Sequence, residues 1–453
     1  MPATRELRVR QGQVLLMVGT MKGVFLFASN TSRQKWEMGG PHFAGSPVYA
    51  LAHDARNGQH RMIASVESPF FGTTVRWSDD LGRSWTQPAE STLKFPTDTG
   101  VSLKRVWQFV PIGRNGTIYA GVEPTALFVS RDRGGNWELV RGLFDHPHRP
   151  RWEPGNGGQC LHTILPDPKR AERMLVAMST GGVYRTDDGG AHWQPRNVGV
   201  RAEFRPDKYP EFGQCVHKVV RHPARPDTLF LQNHWGLYRS DDGADSWRDV
   251  ANGVPSDFGF CMAIHPHDPD VVYIVPLESD GYRCTPEGKM RVYRTRNGGK
   301  SWEPLTNGLP QKNAHETVLR DALTVDALNP AGVYFGTRSG KLYASPDGGA
   351  SWKLVSDGLP QVLCVRAAVI GEPSSLRVPA SARSAAASGK KGAAPVKPTA
   401  RKVTATAAKP AAKRAATAKA PKPAAKKTAK PGAGPAGRHV TPKPGGARPK
   451  RAR

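Results

Sequence analysis

The chain has 453 residues, with 65 Lys and Arg against 38 Asp and Glu, a formal charge of +27 and 38% hydrophobic residues. No run approaches the roughly 20 apolar residues that cross a bilayer as a helix, and five cysteines without regular spacing do not make a disulfide framework. A helical membrane protein and a small disulfide-stapled secreted domain are thereby excluded, and a cytoplasmic protein with no membrane partner is expected.

Residues 1–11, with Arg5, Arg8 and Arg10, read as an N-terminal leader, and the apolar run 14–18 is too short for a signal-peptide core. Residues 15–19 and 24–28 read as two strands joined at Met21-Lys22-Gly23. The chain beyond them is organised by one recurring box, best seen as Thr186-Asp187-Asp188-Gly189-Gly190-Ala191-His192-Trp193. Its Asp accepts hydrogen bonds from backbone N–H groups, its glycines supply positive φ, and its Trp opens a returning strand with a large apolar body to bury. Close copies end at Trp85, Trp137, Trp247, Trp302 and Trp352, and an eroded copy ends at Trp36. The seven tryptophans stand 49 to 56 residues apart, the period of a propeller blade.

Between boxes each unit repeats one plan, clearest at 215–247: an alternating strand, a Pro/Asp turn, a second strand, a short connection, a third strand, the box and a fourth strand. Four antiparallel strands per unit make a blade. The first unit lacks its opening strand, and the apolar segment 361–370 has no blade of its own. Residues 12–371 are therefore predicted to form an all-β, seven-bladed propeller of four-stranded antiparallel blades, closed by about 361–370. From residue 371 onward 21 Lys and Arg face the single Glu372. This Lys/Ala/Pro-rich tail, 372–453, is expected to be disordered and to bind DNA or RNA non-specifically through its charge.

The box resembles the Asp-box, or bacterial neuraminidase repeat, of the sialidase superfamily, across all seven units. Similar boxes occur in glycosidases, sortilin-like receptors and photosystem II assembly-factor propellers, so the resemblance carries architecture rather than activity. The chain also resembles bacterial exo-alpha-sialidase-like and glycosyl-hydrolase-like proteins. It departs from true sialidases in having no Phe/Tyr-Arg-Ile-Pro motif before the first box; Phe204-Arg205-Pro206 lies mid-chain and is not equivalent. The resemblance implies a propeller that binds a glycan or other polar small molecule, with glycoside hydrolysis, but not typical sialidase activity, as the candidate reaction. A non-catalytic scaffold for a protein partner and a nucleoid-associated protein are the alternatives.

Propeller geometry gathers the fourth-to-first and second-to-third connections on one face, and three there are long and polar: 141–159, 194–214 and 277–289. A glycosidase needs two carboxylates flanking the bond, and Asp321 with Glu278 or Asp280 is the candidate pair. Arg149, Arg283, Arg320, His162, His217, His234 and Trp235 are the candidate ligand-binding residues. Cys160 and His162 recur as Cys215 and His217 in the next unit, a set that offers metal donors. They lack short-loop spacing, so buried cysteines beside hydrogen-bonded histidines are expected, with no metal and no cofactor.

Overall fold

The computed structural model describes residues 6–86, 91–155 and 157–371. The chain divides into two units, 1–383 and 384–453, and the expected disorder and nucleic-acid binding of the tail lie outside the described residues. Seven antiparallel sheets succeed one another along the chain. The third to seventh blades begin with the innermost strands Arg105–Pro111, Leu161–Pro166, Val216–His222, Gly259–Ile264 and Leu323–Val325. The second is described as three strands, Val48–Asp54, Arg61–Ser68 and Gly72–Ser78, with residues 87–90 outside the described set. In the first blade Val362–Val369 pairs antiparallel with Val14–Thr20, which continues into Gly23–Ser29 and Glu37–His42. The ring closes as the sequence predicts.

The box works as a turn clamp. In the fourth blade the Thr186 hydroxyl donates to Asp188 Oδ1 (2.8 Å) and accepts from the Gly190 amide (2.9 Å). Asp188 Oδ1 also accepts from the His192 amide (2.9 Å), and Gly190 takes φ +103°, which a side chain would resist. The three bonds recur in the boxes beginning at Ser78, Ser130, Ser240, Thr295 and Ser345, with Asn297 in place of the Asp.

Two of the tryptophans also tie blade to blade. Trp247 donates its indole N–H to the Arg196 carbonyl (2.9 Å) and Trp302 to that of Val250 (2.8 Å), each in the preceding blade. A second tie comes from the arginine just before the box. Arg185, Arg239 and Arg294 donate to the Gly243, Gly298 and Gly348 carbonyls of the next box (3.0, 3.0 and 2.6 Å). Between the last blade and the first, Arg33 of the eroded box takes over, buried against Asp326 (3.1 Å) and donating to the Pro346 carbonyl (2.8 Å).

In the expected leader, Leu7 is buried in the cluster formed by Leu15, Met17 and Ile370. All five cysteines are free, and among the described residues no helix is long and apolar enough to cross a membrane.

Candidate functional site

The innermost strands carry the site because six of the seven are kinked at the same end. Their pairing slips a register at or beside Tyr49, Trp107, His162, His217, Phe260 and Leu363. A bulge inserts an unpaired residue and re-aims its side chain. Four of the six, Tyr49, Trp107, Phe260 and Leu363, line one mouth of the channel. The three long connections lie on this same face, since they join fourth strands to first strands or second to third.

The mouth encloses about 450 Å³ and its charged lining is Lys104, Arg105, Arg283, Arg320, Arg338 and Asp321. The neighbouring carboxylates are already engaged. Lys104 pairs with buried Glu123 (2.6 Å) and Arg105 with Glu67 (2.5 Å). Arg283, Arg320 and Arg338 have no ion-pair partner among the described residues. Arg320 is held by the His217 carbonyl (2.5 Å) and Ser179 (3.3 Å), with its guanidinium 5.3 Å from the Trp107 ring centre. Arg283 donates to the Asp280 carbonyl (3.0 Å) and lies 5.4 Å from the ring centre of Phe260. Arg338, on the second-to-third turn of the last blade, is exposed. Together they give a positive, aromatic-walled cup.

Asp321 reaches the channel but carries its own counter-ions. Its Oδ1 accepts from Lys218 (2.6 Å) and Arg366 (3.0 Å), all three side chains being largely buried. Burial alone raises this carboxyl, yet the two cations outweigh it and hold it down at about 2. A carboxyl so held does not donate a proton near neutral pH. The innermost strand of the last blade begins at Leu323, and Asp321, just before it, makes a single bridge to Cys364. Glu278 and Asp280 are exposed and are not part of the mouth's lining. Glu316, just upstream, is consumed by Lys341 (2.8 Å) and Ser339 (2.5 Å).

The other candidate residues separate by role. His162 is buried with both ring nitrogens engaged, Nε2 on the Val216 carbonyl (2.9 Å) and Nδ1 on Thr163 (3.0 Å). His217 and His234 come together edge to face, ring centres 5.4 Å apart, and His234 Nε2 lies 3.3 Å from Asp280. Trp235 packs against Phe204 and His234. Arg149 stacks on Phe144 at 3.9 Å and takes no part in the mouth. Sequence reasoning passed over Tyr49, Trp107 and Arg338. The signal was there: Trp107 holds in its blade the position of His162 and His217, and Arg338 the turn position of His234.

Burial holds the His162 and His217 imidazoles well below their usual range. An unfolded chain takes up these protons near pH 6.5 while the folded one does not, so stability is full above that value and falls as pH drops. Each residue contributes a slope of up to about 1.4 kcal/mol per pH unit. Urea unfolding at pH 7, 6 and 5 is expected to show this decline, with a shallower slope in His162→Gln; a flat profile would contradict it.

The fold defines a class, the seven-bladed β-propeller. No protein-family profile matches the chain. Among individual proteins, it is 26% identical over 211 residues to the oligoxyloglucan-reducing end-specific xyloglucanase of Emericella nidulans, covering 40% of this chain and 25% of that one. It is 22% identical over 277 residues to a probable oligoxyloglucan-reducing end-specific xyloglucanase of Neosartorya fischeri, covering 55% of this chain and 32% of that one. The matches thus span a quarter to a third of the length of these curated relatives. Among solved structures, the Niastella koreensis GH74 enzyme superposes with a TM-score of 0.50 at 15% identity, over 77% of this chain and 55% of that one.

Proposed function

We propose that the channel mouth binds an anionic polar ligand, with a short acidic glycan as the class that fits best. The carrying observation is the set of three arginines, Arg283, Arg320 and Arg338, that surround a 450 Å³ cup without carboxylate partners. Arginines in such a cup attract carboxylate, phosphate or sulfate groups through charge-assisted bonds. Tyr49, Trp107 and Phe260 add ring faces for a sugar. The likeness to xyloglucanases supports a carbohydrate ligand. Hydrolysis is not part of this reading, because a glycosidase needs two available carboxylates and the one at this mouth is bound to Lys218 and Arg366.

Arg338 is the residue to test, since it is exposed and replacing it disturbs no buried contact. Arg338→Gln is expected to weaken binding of a uronic-acid trisaccharide by about tenfold or more, the worth of one charged hydrogen bond, with an unchanged Tm. Equal affinity in variant and parent would count against the site.

A second reading, docking of a protein partner, is favoured by Phe70 and Phe71, which stand 86% and 82% exposed on a second-to-third turn of the same face. Phe70→Ser/Phe71→Ser leaves trisaccharide binding intact if the cup is the site, and reduces it if the aromatic tip contributes.

A further inference from the structure

We propose that Cys215, His217 and His234 form a binding site for a divalent transition metal, zinc being the best match to a sulfur-and-imidazole donor set. The inference stands apart from the anion reading and rests on how three side chains from two segments of one blade converge.

Cys215 immediately precedes the strand Val216–His222, and a two-residue spacing along a strand puts Cys215 and His217 on the same side. The pairing slips between Val216 and Lys218, so His217 is the bulged residue. Its Nδ1 donates to the Gly259 carbonyl of the next blade (2.6 Å). That bond fixes the tautomer and leaves the Nε2 lone pair aimed at Cys215 Sγ, 3.6 Å away. His234 is delivered by the second-to-third turn of the same blade, and its own amide donates to the Cys215 carbonyl (3.0 Å). The three donor atoms lie within 4.8 Å of one another.

Zinc bonds of about 2.0 to 2.3 Å in a tetrahedron put neighbouring donors about 3.3 to 3.8 Å apart. The Cys215–His217 pair already meets that spacing, and a shift of about 1 Å brings in His234. Groups that commonly orient metal ligands are also in place: the Gly259 carbonyl on His217 and the Asp280 carboxylate 3.3 Å from His234 Nε2. Binding replaces the thiol proton with the metal, releasing that proton to solvent.

The equivalent pair in the preceding blade shows what is special. Cys160 and His162 share the Cys-x-His pattern, but the sulfur contacts Ser179 (3.4 Å) and both His162 nitrogens are engaged. The two cysteines and two histidines of these adjacent strands do not combine. One Cys-x-His pair and a histidine from the adjoining turn do.

The test uses the full chain, stripped with chelator and titrated with Co(II), then challenged with Zn(II). One equivalent is expected to give a thiolate-to-cobalt charge-transfer band that zinc abolishes. Cys215→Ser is expected to lose the band and Cys160→Ser to keep it. His234→Gln is expected to weaken cobalt binding at least tenfold with the near-ultraviolet circular dichroism unchanged. Asp280→Asn is expected to weaken it by about 10- to 100-fold. Absence of a thiolate band in the parent chain, or a band that survives both Cys215→Ser and His234→Gln, would overturn the proposal. Because the band reports a sulfur ligand, histidines and the basic tail cannot imitate it.

Discussion

Asp321→Asn is expected to destabilise the propeller by about 3–5 kcal/mol, the usual cost of leaving buried charge uncompensated. The substitution strips Lys218 and Arg366 of the carboxylate that both contact, in a place where neither reaches bulk water freely. The effect is asymmetric. Replacing Asp321 and Lys218 together by apolar residues of similar volume leaves only Arg366 to be accommodated, and is expected to cost less than Asp321→Asn alone. Chemical denaturation of the two variants and the parent reads this directly. A catalytic Asp321 would behave in the opposite way, with turnover of a glycoside lost and stability unchanged or raised. The ionised pair also sets an acid limit. Since the folded carboxyl lies near 2 and an unfolded one near 3.8, its contribution is complete above about pH 4 and is lost as pH falls toward 2.

The second large effect concerns closure of the ring. A chain ending at residue 360 loses the strand Val362–Val369, which pairs with Val14–Thr20 along its whole length. It also loses the burial of Val362, Leu363, Cys364, Val365 and Val369. At about 1.5 to 3 kcal/mol for each large apolar side chain, the loss is on the order of 10 kcal/mol, as much as a whole domain commonly has to spare. Such a chain is expected to be insoluble or molten, with its first blade exposing an unpaired edge. A chain ending at 371 keeps every described strand and is expected to melt where the full chain does. It also separates the tail's role: if residues 372–453 tether the protein to nucleic acid, the shorter chain loses salt-sensitive binding to duplex DNA. A lower Tm for the 371-residue chain would contradict closure by this strand alone, and undiminished DNA binding would contradict the tether.

Blade number, closing strand and the shared rim of the long connections were legible in the sequence because they rest on local pattern: a tryptophan every 49 to 56 residues, turn chemistry and strand alternation. Each is written within one repeat. The site was only partly legible because its partners are remote. Lys218 and Arg366 lie 103 and 45 residues from Asp321, and nothing near Arg320-Asp321 announces them. Arg366 in particular sits inside a run that is otherwise mostly apolar. Arg149, in a loop that does reach the correct face, is diverted by stacking on Phe144. Alternation alone also hid the bulges. A strand that slips by one residue at its mouth end turns Tyr49, Trp107 and Phe260 toward the channel, where a regular register would not.

The channel mouth is thus a cup whose carboxylates are spent internally, while Arg283, Arg320 and Arg338 are not. The most direct test is a fluorescence titration of the full chain with a uronic-acid trisaccharide and with a neutral xyloglucan oligosaccharide of the same length, with analysis of the recovered sugars. Quenching of Trp107 is expected to be at least tenfold tighter for the acidic sugar, to weaken with salt, to vanish in Trp107→Phe, and to leave both sugars intact. Equal affinity for the two, or cleavage of either one in an Asp321-dependent manner, would contradict an anion-binding, non-hydrolytic cup.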